Sequence, residues 1–120
     1  MPEIKDKKYG KTMFYIDGNE IKDKKFGNTL FYISGSEIRE KTKYGNIKFC
    51  FSNFEITRDS RYGKIKYHFE NNEVRDKKHG VLIYYVDGSE IKEKGKYGSV
   101  RYYIDGSLTK DQLMGLLSII

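Results

Sequence analysis

Apolar and polar positions along this chain fall into a short unit that is written over and over. Each unit opens on a glutamate followed by a β-branched apolar residue and, in all but the fourth copy, a base, as in Glu3-Ile4-Lys5, and runs through a charged segment to a glycine. An apolar and aromatic stretch follows, Thr12-Met13-Phe14-Tyr15-Ile16, in which every second residue shares a face, and the unit closes on Asp17-Gly18. Alternation with period two over five or six residues marks a strand with one face turned to a core. Asp-Gly supplies the backbone conformation that tight hairpin turns need.

Six copies begin at Glu3, Glu20, Glu37, Glu55, Glu73 and Glu90, and the first two agree at 12 of 17 positions. From the glycine of each unit to the apolar residue before the corner is always six residues (Gly10 to Ile16, Gly98 to Ile104). From there to the next β-branched residue is always five (Ile16 to Ile21, Val86 to Ile91). Only the charged segment changes length, Asp-Lys-Lys in some copies and Glu-Lys-Thr-Lys or Glu-Lys-Gly-Lys in others. A loop absorbs an extra residue, whereas a paired strand would have all its later side chains flipped. The charged segment is therefore a turn, and each 17–18-residue unit reads as a short strand, a charged turn, a longer strand and an Asp-Gly corner. Copies three and four replace that corner with Ser52-Asn53-Phe54 and Glu70-Asn71-Asn72, in which asparagine still reaches the left-handed region.

Counted by twos, one face of the longer strands is apolar, as in Thr12, Phe14 and Ile16 or Ile65, Tyr67 and Phe69. The other is mixed, pairing Met13 with Tyr15, Lys48 with Cys50, Lys66 with His68 and Arg101 with Tyr103. After Gly106 the pattern changes. Thr109-Lys110-Asp111-Gln112 is a capping box, Leu108 and Leu113 stand where a hydrophobic staple places them, and a helix is expected over about 110–118. Its Leu113, Leu116, Leu117 and Ile120 form an apolar stripe that must dock on something, and Gly115 inside it suggests close approach of a neighbour.

The fold class is all-β with one C-terminal capping helix, a single repeat domain over residues 1–120. In one stacking the hairpins line up as an elongated, twisted antiparallel meander. Twelve strands would then extend roughly 55 Å, which a helix about 15 Å long cannot cover, so the sheet must curl or find a partner. In the alternative, a parallel β-solenoid, each unit is one coil in a stack about 29 Å high with the helix plugging an end. A closed barrel or propeller-like ring is the third arrangement. The tight Asp-Gly corners favour the meander.

Composition adds little to the fold and more to the function. Aromatics make up 15% with no tryptophan, which suits half-exposed strands. The net charge of +6 favours acidic partners, although acids and bases are interleaved along the whole chain. No stretch has the apolar length of a membrane span, the start lacks the apolar core of a signal peptide, and a cytoplasmic location is the default expectation. Cys50 is the only cysteine, so no internal disulfide is expected.

Catalytic chemistry has few candidates. His68 and His79 are the only histidines, and His79 takes the place held by Tyr9, Phe26, Tyr44, Tyr62 and Tyr97 in the other copies. Cys50 and His68 occupy equivalent places in adjacent copies, a nucleophile or metal pair without a third member. No P-loop, zinc spacing or carboxylate dyad is present, so the expectation is a non-enzyme with no cofactor and no metal. The candidate binding surface is the mixed face, where Tyr15, Tyr32, Tyr85 and Tyr103 would alternate with Lys48, Lys66 and Arg101. Rings interleaved with cations suit a protein interface, or stack bases and hold phosphates.

The run DKKHGVLIYYVDGSEIKEK resembles a MORN repeat, and the spacing of glycine, aromatic strand and Asp-Gly over residues 3–107 is similar to the shorter bacterial variant. That resemblance implies hairpins aligned in a curved antiparallel sheet and a scaffold acting in protein contacts or near membranes. The expected function is thus a protein-binding scaffold, with self-association into a homo-oligomer as one form. An anion-binding surface for nucleic acid or anionic lipid headgroups is the alternative.

Overall fold

A computed structural model describes residues 2–120. Each unit forms one hairpin: β1 (Glu3–Lys5) with β2 (Thr12–Asp17), β3 (Glu20–Lys22) with β4 (Thr29–Ser34), and β5 (Glu37–Glu40) with β6 (Ile47–Phe51). The second half continues as β7 (Glu55–Arg58) with β8 (Ile65–Glu70), β9 (Glu73–Arg75) with β10 (Leu82–Asp87), and β11 (Glu90–Glu93) with β12 (Val100–Asp105). A single helix, α1 (Lys110–Ile119), follows. Every neighbouring pair of strands is antiparallel, which excludes the parallel solenoid.

The meander does not stay open. β1 pairs with β12 through Glu3 opposite Asp105, Ile4 opposite Ile104 and Lys5 opposite Tyr103, so the twelve strands close into a barrel. The elongated sheet expected from the repeats is corrected to a flat ring measuring 38 × 37 × 17 Å. Closure leaves no sheet edge and therefore no unpaired row of backbone groups for another chain to extend. Curling also answers the coverage problem. Twelve strands at about 4.8 Å close to a ring roughly 18 Å across before tilt, too wide for wall side chains alone and wide enough for one helix.

The corners form as the sequence implies. Gly18 opens a two-residue turn at φ +59, and in the fourth copy Asn71 and Asn72 take φ +54 and +65, so both corners reach the left-handed region without an identical sequence. On the opposite rim the unit's other glycine is fixed by space: a Cβ on Gly10 would fall 1.7 Å from Asp6 Oδ1, the atom that accepts the Lys11 N–H.

Two tiers of side chains face the lumen. Ile4, Ile21, Ile38, Ile56, Val74 and Ile91 are fully buried, each opposite the last apolar residue of the preceding long strand, as Ile21 is opposite Ile16. Phe14, Phe31, Phe49, Tyr67, Tyr84 and Tyr102 form the second tier and pack against this core. The helix stands inside. Thr109 caps it with both arms of the capping box, Gln112 Nε2 donates to the Gly18 carbonyl at 2.9 Å, and Met114, Leu116, Leu117 and Ser118 are fully buried. Gly115 permits this fit, since a Cβ there would come 2.9 Å from Ile33 Cδ1.

Each long strand also carries a β-bulge, which strict counting by twos does not see. Ile4 faces Phe14 but Lys5 faces Thr12, leaving Met13 extra, and the same slip leaves Leu30, Lys48, Lys66, Ile83 and Arg101 extra in the other copies. A bulge bends and further twists its strand, so six of them assist closure. They also correct the assignment of faces. Thr12, Thr29 and Ile65 leave the apolar row: Thr29 Oγ1 donates to Glu20 Oε2 on the outer wall at 3.0 Å, and Ile65 is exposed.

Candidate functional site

Because strand direction alternates, all six charged turns lie on one rim and the five tight corners on the other. On the charged rim Tyr9, Phe26, Tyr44, Tyr62 and Tyr97 stand 83–94% exposed at the tips of their turns, with His79 in the sixth place. Phe26 and His79 hold positive φ, +62 and +65, which costs a side chain with a Cβ on the order of 1 kcal/mol. A neighbouring base covers four of the rings: Lys8 over Tyr9 at 5.6 Å, Lys25 over Phe26 at 5.4 Å, Lys43 over Tyr44 at 5.1 Å and Arg61 over Tyr62 at 5.9 Å. None of these four bases forms an ion pair among the described residues. The result is a crown of six tips, five aromatic, each carrying positive charge that the fold does not neutralise.

The seven residues expected to share one binding face are divided between two. Tyr15, Tyr32, Tyr85 and Tyr103 line the outer wall, each opposite a base of the next strand (Lys22, Arg39, Lys92, Lys5). Tyr15 is buried there and the other three are half-buried. Lys48, Lys66 and Arg101 sit at the bulges and turn to the lumen side. Lys48 reaches Glu40 at 3.7 Å and Arg101 reaches Glu93 at 3.2 Å, and those acids stand opposite the lumen-facing Phe31 and Tyr84. Lys66 donates to the Ser118 carbonyl at 2.6 Å and lies 4.8 Å from the Phe49 ring centre and 5.2 Å from that of Tyr67. These four rings and three cations do not share one surface, because the bulge puts two consecutive residues on the lumen side; the bases that meet the wall tyrosines are those of the short strands.

Burial, with the nearby Arg58 charge second, lowers the Lys66 ammonium to about 8. Burial raises the phenols of Tyr67 and Tyr84, which meet edge to face at 6.2 Å. Cys50 and His68, equivalent in sequence, are separated by β7: Cys50 faces Thr57, and His68 faces Glu55 on one side and Arg75 on the other. His68 Nε2 instead lies 3.1 Å from Glu70. No group of three or more potential metal ligands comes together among the described residues.

The glutamate ladder is an outer-wall feature. Glu3, Glu20, Glu37, Glu73 and Glu90 each pair with the base two residues on, at 2.7–3.8 Å. In the fourth copy that base is Thr57, and Glu55 has no cation among the described residues. The wall is also hollow there. A groove of about 760 Å³ is lined by Cys50, Thr57, Glu37, Glu55, Ser52 and Tyr62 among others.

The crown is what the sequence reading missed. Its signal was present as a bulky aromatic before a glycine in the one segment whose length varies, where no strand pairing can bury it. No family model matches the chain, and neither curated proteins nor solved structures give a match to it. The likeness of its units to MORN repeats thus has no support beyond the repeats themselves.

Proposed function

We propose that the protein is a non-enzymatic binding module that engages another protein, and that its contact surface is the charged-turn rim rather than the whole outer wall. One observation carries the reading: the turns hold five large aromatic rings in water, Phe26 at a backbone cost, beside bases that form no ion pair among the described residues. Exposed aromatics beside bases are the anchors of protein interfaces, and a partner with acidic groups would complement them. The wall tyrosines are already sandwiched between glutamate and lysine or arginine, so they have less surface left to give.

Joint replacement of Tyr9, Phe26, Tyr44, Tyr62 and Tyr97 by Ser is the test. Circular dichroism and melting should stay close to the parent, while recovery of a defined partner falls at least about tenfold, since each lost anchor is worth roughly 1 kcal/mol or more. Unchanged recovery would overturn the assignment of the rim. The free lysines and the net charge of +6 favour a second reading, an anionic lipid or nucleic-acid surface. Its mark is binding to phosphatidylserine vesicles or a labelled oligonucleotide that collapses between low and moderate salt.

A further inference from the structure

Around the outer wall, each long strand sets an aromatic ring against a base of the next strand, except at one place. The pairs are Tyr15 with Lys22, Tyr32 with Arg39, His68 with Arg75, Tyr85 with Lys92 and Tyr103 with Lys5. Between β6 and β7 the corresponding residues are Cys50 and Thr57. Both are small, both are buried, and together they floor the 760 Å³ groove. The loss is electrostatic as well as steric. The base that holds the unit's glutamate elsewhere is absent, leaving Glu55 unpaired among the described residues. The acid that shares the base at other corners, Asp17 with Lys22 or Asp87 with Lys92, is replaced by Ser52. The wall thus lacks one aromatic and one cation, side by side, next to an unneutralised carboxylate.

The charged rim carries the same pair in excess. At each of four tips a base lies over an exposed ring at 5.1–5.9 Å, and one of these aromatic–cation units, Arg61 with Tyr62, stands at the end of the groove itself. We propose that the groove between β6 and β7 is a docking site for a charged turn of a second copy of this chain. The ring of the incoming tip fills the space over Cys50 and its base pairs with Glu55. This rests on the reading that the turns are the contacting element, and it names a partner for them. The groove extends from Ser34 and Ser52 beside the tight corners to Arg61 and Tyr62 at the charged rim, so an incoming turn meets an open channel. Barrel closure leaves no strand edge for copies to pair through, so association has to use side chains.

The experiment is sedimentation velocity on the full chain over a hundredfold concentration range. The parent is expected to associate reversibly. Restoring the wall pair with Cys50→Tyr and Thr57→Lys should fold, because the same pair stands at equivalent places of the ring, and should weaken association at least tenfold. Glu55→Gln, which leaves the packing alone, should weaken it severalfold and covers the case in which the double variant fails to fold. A parent that stays monomeric throughout, or a filled groove that associates as the parent does, overturns the proposal. If the five-tip Ser variant loses association while the filled groove keeps it, the turns stand as the contacting element and only the groove is wrong.

Discussion

The two rims of the ring are made from the same six units and have opposite characters. At the tight-corner rim the turns are two residues long, the adjoining strands place Ile21 opposite Ile16 and Ile38 opposite Ile33, and the helix starts there with a complete capping box. At the charged rim the turns vary in length, the backbone is held in positive φ at Phe26, Lys41, Asp59, His79 and Lys94, and the largest rings point into water. Register and core fill are decided where length is constant, because a one-residue slip there would turn the apolar row outward. The variable rim is free of that constraint, and its exposed rings have no structural role that would account for them.

A pair of alanine substitutions tests this contrast most strongly. Ile38 is fully buried, faces Ile33 and Phe49, and its Cδ1 lies 3.4 Å from where a Gly115 Cβ would stand. Ile38→Ala should therefore cost about 2–5 kcal/mol in denaturant unfolding, combining lost burial with a cavity that twelve closed strands cannot collapse. Tyr44→Ala on the other rim should change stability by no more than about 0.5 kcal/mol. A Tyr44 effect comparable to that of Ile38 would mean the crown is structural, and the functional reading of the rim would fall with it.

Much of this contrast was legible in the residues. Constant spacings located the turns, Asp-Gly and Asn-Asn located the tight corners, and Thr109 with Gln112 located the helix start to the residue. Closure stood only third among the arrangements the repeats allowed, yet it had a signal. Glu3-Ile4-Lys5 is identical to Glu20-Ile21-Lys22 and to Glu90-Ile91-Lys92, so the first strand carries none of the protective changes an open edge demands. The bulges were illegible for a different reason. Alternation assumes an unbroken ladder, and one extra residue such as Lys66 reverses the face of everything before it in the strand while leaving the spacing between units untouched. The division of the seven candidate residues between wall and lumen follows from that single local irregularity.

The helix connects the rims, and its start can be weakened without substituting any residue of a turn or a strand. Thr109 Oγ1 accepts the Gln112 N–H at 3.1 Å and Gln112 Oε1 accepts the Thr109 N–H at 3.0 Å. Thr109→Ala removes the first of these bonds, and the expected loss is about 1 kcal/mol in chemical unfolding. Because the helix fills the ring, the loss should register in global unfolding and not as local fraying. A broad, low-cooperativity transition in this variant would instead show that the barrel and its plug melt separately.

The smallest effect concerns the helix end near the charged rim. Lys66 is held with its ammonium on the Ser118 carbonyl and between the Phe49 and Tyr67 rings, and burial keeps its pKa near 8 against an ordinary 10.5. A lowered pKa in the folded state means that between about pH 8 and 10.5 the unfolded chain binds more protons, so stability rises with pH across that window. Below it, Lys66 is charged in both states and the burial cost is present in full. The side chain is only half-buried, and solvent screening reduces the gain to no more than roughly 1 kcal/mol. The raised phenols of Tyr67 and Tyr84 act with the opposite sign and only from about pH 10 upward, where tyrosines of the unfolded chain begin to ionise. Urea unfolding from pH 7.5 to 9.5 should therefore show the parent gaining stability relative to Lys66→Met, with the difference between the two shrinking or reversing as pH rises. A constant difference across that range would mean that the ammonium is fully solvated, and that the plug is held at this end by packing alone.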